Sequence, residues 1–208
     1  MKSFYERYWK GKNIRINAFD NIPHWTEENY LYHIKFFEEC LEGVVLDYGV
    51  GEGYFLDKIK HSCKEVYGMD ISSLALNKAR KSYPYLNLTL SENSVYFSKN
   101  FFDTIICFDT LEHILDIETT LEEFYRLLKP NGYLCITTSE LTILKLFMIM
   151  FYGISKYFYP TTPHIRYFTK DSLQDILERK GFEVIKYQPN RKYFGIIPQG
   201  QMVIARKI

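Results

Sequence analysis

The run Val45-Leu46-Asp47-Tyr48-Gly49-Val50-Gly51-Glu52-Gly53 constrains this chain more than any other stretch. Val44, Val45 and Leu46 form a short apolar run that ends at Asp47, as a strand buried on both faces of a parallel sheet requires. Three glycines at alternate positions then let the backbone turn sharply and leave no Cβ in the way of an approaching ligand. Residues 54–60 read as helical, so unpaired N–H groups and a partial positive charge face whatever the turn holds. Strand, glycine turn and helix in this order predict a nucleotide-type α/β fold.

The remaining periodicity agrees. A leading helix spans 27–41, with Leu31, Ile34, Phe37 and Leu41 at steps of three and four. Strands are predicted at 65–69, 86–90, Phe102–Phe108 and 133–137, with a Ser72-capped helix to Lys81 and a helix over 117–128 stopped by Pro130. The segment 141–159 is almost wholly apolar and aromatic. Lys145, Lys156 and Gly153 interrupt it, so it reads as a lid insertion whose apolar side chains bury, rather than as a membrane anchor. A helix over 170–180 and strands at 182–187 and 202–205 follow, and the turn residues of 188–201 suggest a hairpin that returns the last strand antiparallel.

The expected fold is thus α/β and Rossmann-like: a seven-stranded, mostly parallel sheet with helices on both faces and an antiparallel last strand. The chain reads as a single domain. It divides into an N-terminal helical cap at 1–42, a cofactor-binding core at 43–138, the apolar lid at 139–163 and C-terminal helix and strands at 164–208.

Composition excludes several functions. The 26 Lys and Arg against 25 Asp and Glu leave a net charge of +1, which supplies no field to gather a nucleic-acid backbone. Cys40, Cys63, Cys107 and Cys135 lack the spacing of a zinc site or a disulfide framework, so reduced thiols, a cytoplasmic location and no metal are expected. The charged and aromatic first ten residues do not resemble a secretory signal.

Glycine spacing separates the nucleotide binders. Nicotinamide and flavin proteins use G-x-G-x-x-G, whereas Tyr54 stands here in the third glycine's place; a P-loop Lys-Ser or Lys-Thr is also missing. Asp70 ends the second strand, where a carboxylate can accept from both hydroxyls of a ribose. The bland alternative is a glycine-rich turn with Asp70 capping the next helix, but the whole series in one register favours a ligand.

With these residues in hand, the chain resembles the S-adenosylmethionine-dependent methyltransferases of the seven-stranded, Rossmann-like type. The glycine run is similar to their first motif, Val66-Tyr67-Gly68-Met69-Asp70-Ile71-Ser72 to the acidic second-strand motif, and Phe102-Asp103-Thr104-Ile105-Ile106 with Leu111-Glu112-His113 to the fourth-strand motif. Leu127-Leu128-Lys129-Pro130-Asn131-Gly132-Tyr133 is similar to the turn into strand five. The segment from His164 to Thr169, with Leu173, Leu177, Gly181 and Phe182 after it, resembles small-molecule members related to ubiquinone biosynthesis.

The resemblance implies S-adenosyl-L-methionine as cofactor and methyl transfer to a small-molecule O- or N-acceptor. It implies cofactor contacts from Asp47, Gly49, Gly51, Gly53, Asp70, Ile71 and Phe108, with Gly49 and Gly51 against the methionine part and Asp70 on the ribose. The adenine amino group would fall to Glu92 or Asn93, because Ser91-Glu92-Asn93 replaces the usual Asp after the third strand.

Methyl transfer from a sulfonium needs alignment and exclusion of water more than a catalytic triad, and a hydroxyl acceptor adds the need for a base. Among five histidines, His113 and His164 are the candidate bases, each with a structural alternative: a loop tie for His113, a surface position for His164. His24 and Trp25, and the cluster Phe4, Tyr5, Tyr8 and Trp9, lie where they either line a pocket or simply pack. A cofactor-binding protein without catalysis and a dinucleotide-dependent oxidoreductase are the competing classes.

Overall fold

The computed structural model describes residues 1–10, 27–91, 97–154, 158, 164–193 and 196–208. Seven strands run β1 Val44–Tyr48, β2 Glu65–Asp70, β3 Asn87–Leu90, β4 Phe102–Phe108, β5 Leu128–Ser139, β6 Phe182–Tyr193 and β7 Ile197–Lys207. Among the described residues the α-helices are α1 Lys2–Trp9, α2 Glu27–Phe37, α3 Tyr54–Ile59, α4 Ser73–Ser82, α5 Ile117–Leu127, α6 Ile143–Tyr152 and α7 Lys170–Arg179. The sheet order is β3-β2-β1-β4-β5-β7-β6. β7 runs antiparallel to both its neighbours and the other pairings are parallel, as expected from the sequence.

Alternation along the central strands builds two cores. Leu46, Ile105 and Ile136 point into one, with Leu121 and Phe124 of α5 and Leu173 and Leu177 of α7. Val45, Ile106 and Cys135 point into the other, with Phe37 of α2, Leu56 of α3 and Leu76 of α4. The result is a helix-sheet-helix sandwich. Local signals start the helices where the sequence expects them: Ser72 caps α4 by accepting from the Ala75 N–H, and Thr169 and Ser172 form a reciprocal capping box on α7.

Three expectations need correction. β5 begins at Leu128, not Tyr133, because it picks up an early pairing with Phe102 beyond a register shift. Most of 188–201 is strand rather than loop, since β6 and β7 pair from Phe182 opposite Lys207 out to Tyr193 opposite Ile197. Finally, α6 buries only Met148 and Ile149 of its apolar side chains: Phe151 is 79% and Ile143 75% exposed, while Lys145 is 2% exposed.

This topology positions the site. The chain leaves β1 toward β2 on one side, and β4 leads to β5 on the other, so the strand order reverses between β1 and β4. Ligands of open α/β sheets bind at the carboxyl ends of strands flanking such a switch point.

Candidate active site

A cavity of about 550 Å³ opens at those strand ends. One half is built from the glycine turn and the end of β2. Gly49, Gly51 and Gly53 all hold left-handed φ values of 94°, 55° and 82°. Sterics add to this at two of them: a Cβ on Gly49 would lie 2.2 Å from the Thr110 hydroxyl and one on Gly53 3.2 Å from Leu86, whereas at Gly51 the Trp9 ring, 3.4 Å away, leaves ordinary contact and the φ alone favours glycine. Gly49 and Gly51 line the cavity, while Gly53 faces Leu86 and Ala79 in the packing between turn and α4.

Asp70 fixes this half. One of its carboxylate oxygens accepts the Gly51 N–H at 2.9 Å and the other the Ser72 N–H at 2.8 Å. The helix cap is therefore Ser72, and Asp70 is left as a buried, oriented carboxylate on the cavity wall. Burial raises its pKa, opposed by the backbone donors of Ser72, Gly51 and Ile71. Asp47 beside it is 5% exposed, and burial together with the neighbouring Asp70 charge pushes its pKa up to about 7. Ile71, Ser91 and Phe108 complete the lining, and Phe108 is wedged between Phe37 and Phe55 with both centroids at 4.8 Å. Glu92 and Asn93 lie outside the described residues, as do His24 and Trp25.

Helix α1 covers the turn. Phe4, Tyr5, Tyr8 and Trp9 all line the cavity, so the N-terminal aromatics are cavity wall, and no residue of α1 is buried. Glu6 fastens the helix by accepting from the Ser73 N–H at 2.8 Å and its hydroxyl at 3.1 Å, at the positive end of α4. The Trp9 indole Nε1 is buried with no hydrogen-bond partner among the described residues.

The other half is polar and titratable. His113 and His164 come together with ring centroids 4.7 Å apart, although 50 residues of chain separate them. The backbone explains the meeting: the Ile165 N–H donates to the Glu112 carbonyl at 3.1 Å, and the Arg166 guanidinium donates to the carbonyls of Ile114 and Leu115. Glu112, 2% exposed, accepts the Thr138 hydroxyl at 2.9 Å, and burial raises its pKa. Its carboxylate and the two imidazoles offer ligand atoms within 4.8 Å of one another, a donor set able to hold a proton or a divalent cation.

Lys145 and Asn190 were not legible as site residues. Lys145 donates to the carbonyls of Glu140 at 2.9 Å and Gln199 at 2.8 Å; burial lowers its pKa to about 8, against the pull of Glu140 and Glu112. Asn190 reaches the cavity from β6 and pairs with His33 of α2 at 3.1 Å, leaving its amide oxygen buried without a described partner. A lysine inside an apolar segment was the one available signal, and it reads equally well as a solvent-facing break.

A cavity at the switch point of this sheet, with a glycine turn and a fixed carboxylate on one wall, defines the class of the seven-stranded, S-adenosylmethionine-dependent methyltransferases. Residues 19–187 match the family described as "Methyltransferase domain", and the chain belongs to that family.

Among its relatives is a "Probable S-adenosylmethionine-dependent methyltransferase" of Mycolicibacterium smegmatis, 28% identical over 78% of this chain and 63% of the relative. The ubiquinone biosynthesis O-methyltransferase of Actinobacillus pleuropneumoniae is 30% identical over 52% of this chain and 50% of its own. The chain thus spans about half to two thirds of the length of these curated relatives. Magnesium protoporphyrin IX methyltransferase from Synechocystis, solved with bound S-adenosylhomocysteine, shares the fold with a TM-score of 0.71 at 18% identity, covering 100% of this chain and 98% of its own. A methyltransferase from Archaeoglobus fulgidus gives 0.67 at 19% identity, covering 88% and 95%.

The cofactor of the class is S-adenosyl-L-methionine, and the residues present suit it. The oriented Asp70 carboxylate fits a pair of hydroxyls, the acidic Asp47 an ammonium, and the unpartnered Trp9 N–H a carboxylate.

Proposed function

We propose that this protein transfers the methyl group of S-adenosyl-L-methionine to a small-molecule acceptor, a hydroxyl oxygen or an amine nitrogen, held in the polar half of the cavity. One observation carries the reading: a single cavity joins the Asp70 and glycine-turn wall to the cluster of Glu112, His113 and His164. In this assignment Asp70 takes the ribose hydroxyls, Asp47 the methionine ammonium, Trp9 its carboxylate, and Gly49 and Gly51 keep backbone close to the methionine part. Ile71 and Phe108 give apolar contact to the adenine side, and Glu92 or Asn93 the amino group.

The bound cofactor supplies a methyl group on a cationic sulfur. The protein's task is to align an acceptor atom behind that methyl and to exclude water, which the aromatic wall of α1 and Phe108 favours. Transfer of that methyl would leave the acceptor oxygen or nitrogen with a proton to lose, so the acceptor needs a base. The paired imidazoles of His113 and His164 serve that purpose, and the Glu112 carboxylate beneath them stabilises the imidazolium formed. An acceptor carrying a hydroxyl uses all of these groups. The O-methyltransferase among the relatives supports the same preference.

Titration calorimetry with S-adenosylmethionine and with NAD, followed by a turnover screen of phenols, carboxylic acids and amines, tests the reading. Binding of the first ligand alone, with S-adenosylhomocysteine released in the presence of an acceptor, is expected. Binding of NAD in its place would identify an oxidoreductase, and tight cofactor binding with no turnover on any acceptor would identify a non-catalytic binder.

A further inference from the structure

Three strands meet in one row at the cavity end of the sheet. Ser139 of β5 stands opposite Gly200 of β7, and Gly200 stands opposite Asn190 of β6. Residues directly opposite one another share a face of the sheet, so the Ser139 hydroxyl and the Asn190 amide lie on the same side. Gly200 puts no side chain between them, and two interstrand spacings separate the outer pair by about 10 Å from Cα to Cα. All three residues line the cavity. Glycine is required in the middle by a close backbone approach, since a Cβ there would lie 2.8 Å from the Thr138 carbonyl oxygen.

The row carries polar groups that the protein leaves incomplete. Asn190 is 5% exposed and sets its amide nitrogen against the ring of the buried His33. Its amide oxygen and the Ser139 hydroxyl oxygen are both buried with no hydrogen-bond partner among the described residues. Such atoms are costly when unpaired, and two of them on one cavity wall call for a ligand group.

Chemistry narrows that group. A carboxylate has no proton to give to the Asn190 oxygen. An ammonium would add a like charge beside Lys145, whose own ammonium is fixed on the carbonyls of Glu140 and Gln199, next to Ser139 and Gly200 along their strands. An uncharged hydroxyl donates to the amide oxygen and accepts from the serine through a single atom, which suits a row whose middle residue has no side chain. It is a different hydroxyl from the one to be methylated. Glu112, clustered with His113 and His164, accepts from the Thr138 hydroxyl, and Thr138 and Ser139, as neighbours along a strand, point to opposite faces. The imidazole pair and the row therefore lie on two sides of the β5 end.

We infer that Ser139 and Asn190, across Gly200, form a specificity subsite for a second hydroxyl of the acceptor, several bonds away from the atom that is methylated. The acceptor class is thereby narrowed to small molecules that carry a free hydroxyl besides the nucleophilic oxygen or nitrogen. The inference rests on the methyl-transfer reading above for the fate of the bound molecule, and on the row alone for the hydroxyl it recognises.

Calorimetric titration with paired probes, in the presence and absence of S-adenosylhomocysteine, tests it: phenol against resorcinol and hydroquinone, and cyclohexanol against 1,4-cyclohexanediol. At least one diol should bind about fivefold or more tighter than its monohydroxy partner. Ser139→Ala should erase that advantage while leaving the affinities for the monohydroxy probe and for S-adenosylhomocysteine unchanged. Asn190→Ala should do the same. It also removes a His33 contact, so if it does not fold, Ser139→Ala, which breaks no described hydroxyl bond, carries the test. No diol binding better than its monohydroxy partner, or a full diol advantage kept by Ser139→Ala, would overturn the subsite. A fall in S-adenosylhomocysteine affinity in Ser139→Ala would assign the row to the cofactor and overturn it too. A protein that does not bind S-adenosylhomocysteine yet prefers diols through Ser139 would overturn the methyl-transfer reading and leave the hydroxyl-binding row standing.

Discussion

The carboxylate of Asp70 accepts the backbone N–H of Gly51 at 2.9 Å, joining the end of the second strand to the turn after the first. Each half of this cavity wall is therefore held by the other. Replacing Asp70 by Ala should remove both the turn's anchor and the proposed ribose contact. S-Adenosylmethionine binding should weaken by on the order of 1.5 to 3 kcal/mol for each charge-assisted hydrogen bond lost, about 10- to 150-fold. Unchanged affinity in calorimetry would remove Asp70 from the site.

Asp47 gives a pH prediction whose sign is fixed by its environment. Its pKa is raised from the ordinary carboxylate value to about 7, so between roughly pH 4 and 7 the folded state holds more protons than the unfolded one. Stability from this group is present at low pH and is lost as pH rises through 7, by up to about 4 kcal/mol. Asp47→Asn should flatten that part of the stability curve and raise the melting temperature at pH 8. The same variant should weaken cofactor binding, because the proposed ammonium partner is gone. For the unmodified protein, affinity should rise with pH through 7 as Asp47 ionises. A melting temperature at pH 8 no higher in the Asn variant would contradict the assignment of a destabilised carboxylate.

His113 and His164 are separable by kinetics. Once an acceptor is identified, replacing the imidazole that takes its proton by Ala should lower turnover by roughly 100-fold or more, with cofactor affinity unchanged. The partner histidine should matter less. If both single variants turn over normally across the pH range, transfer is driven by alignment alone.

Trp9 tests the role of the N-terminal helix. Its buried indole N–H has no described partner, so a ligand carboxylate is its assigned acceptor. Trp9→Phe keeps the ring over Gly51 and removes the donor, and S-adenosylmethionine affinity should fall about tenfold. Equal affinities for the two proteins would mean that α1 acts as an apolar cover only.

Local chemistry made the glycine-turn half of the cavity readable. The strand, the spaced glycines and the carboxylate at the end of the next strand lie within 27 residues, and each depends on backbone rules that act over one or two turns. The strand alternation that sorts Leu46 and Val45 to opposite cores follows from the same short-range geometry.

The polar half depended on distant parts of the chain. Asn190 meets His33 across 157 positions, and His164 reaches His113 because Ile165 and Arg166 bond to the backbone of residues 112–115. Lys145 shows the limit most clearly. Sequence alone marks it as an interruption in an apolar segment, and hydrophobicity would place the lysine outside and Phe151 inside. The tertiary structure reverses both, because the carbonyls of Glu140 and Gln199 supply partners that make burial of the ammonium tolerable, while the apolar side chains of Phe151 and Ile143 stay exposed. Composition and spacing determined which fold could form and where its glycine turn lies; which side of α6 faces the protein was decided only when β5 and β7 brought those carbonyls together.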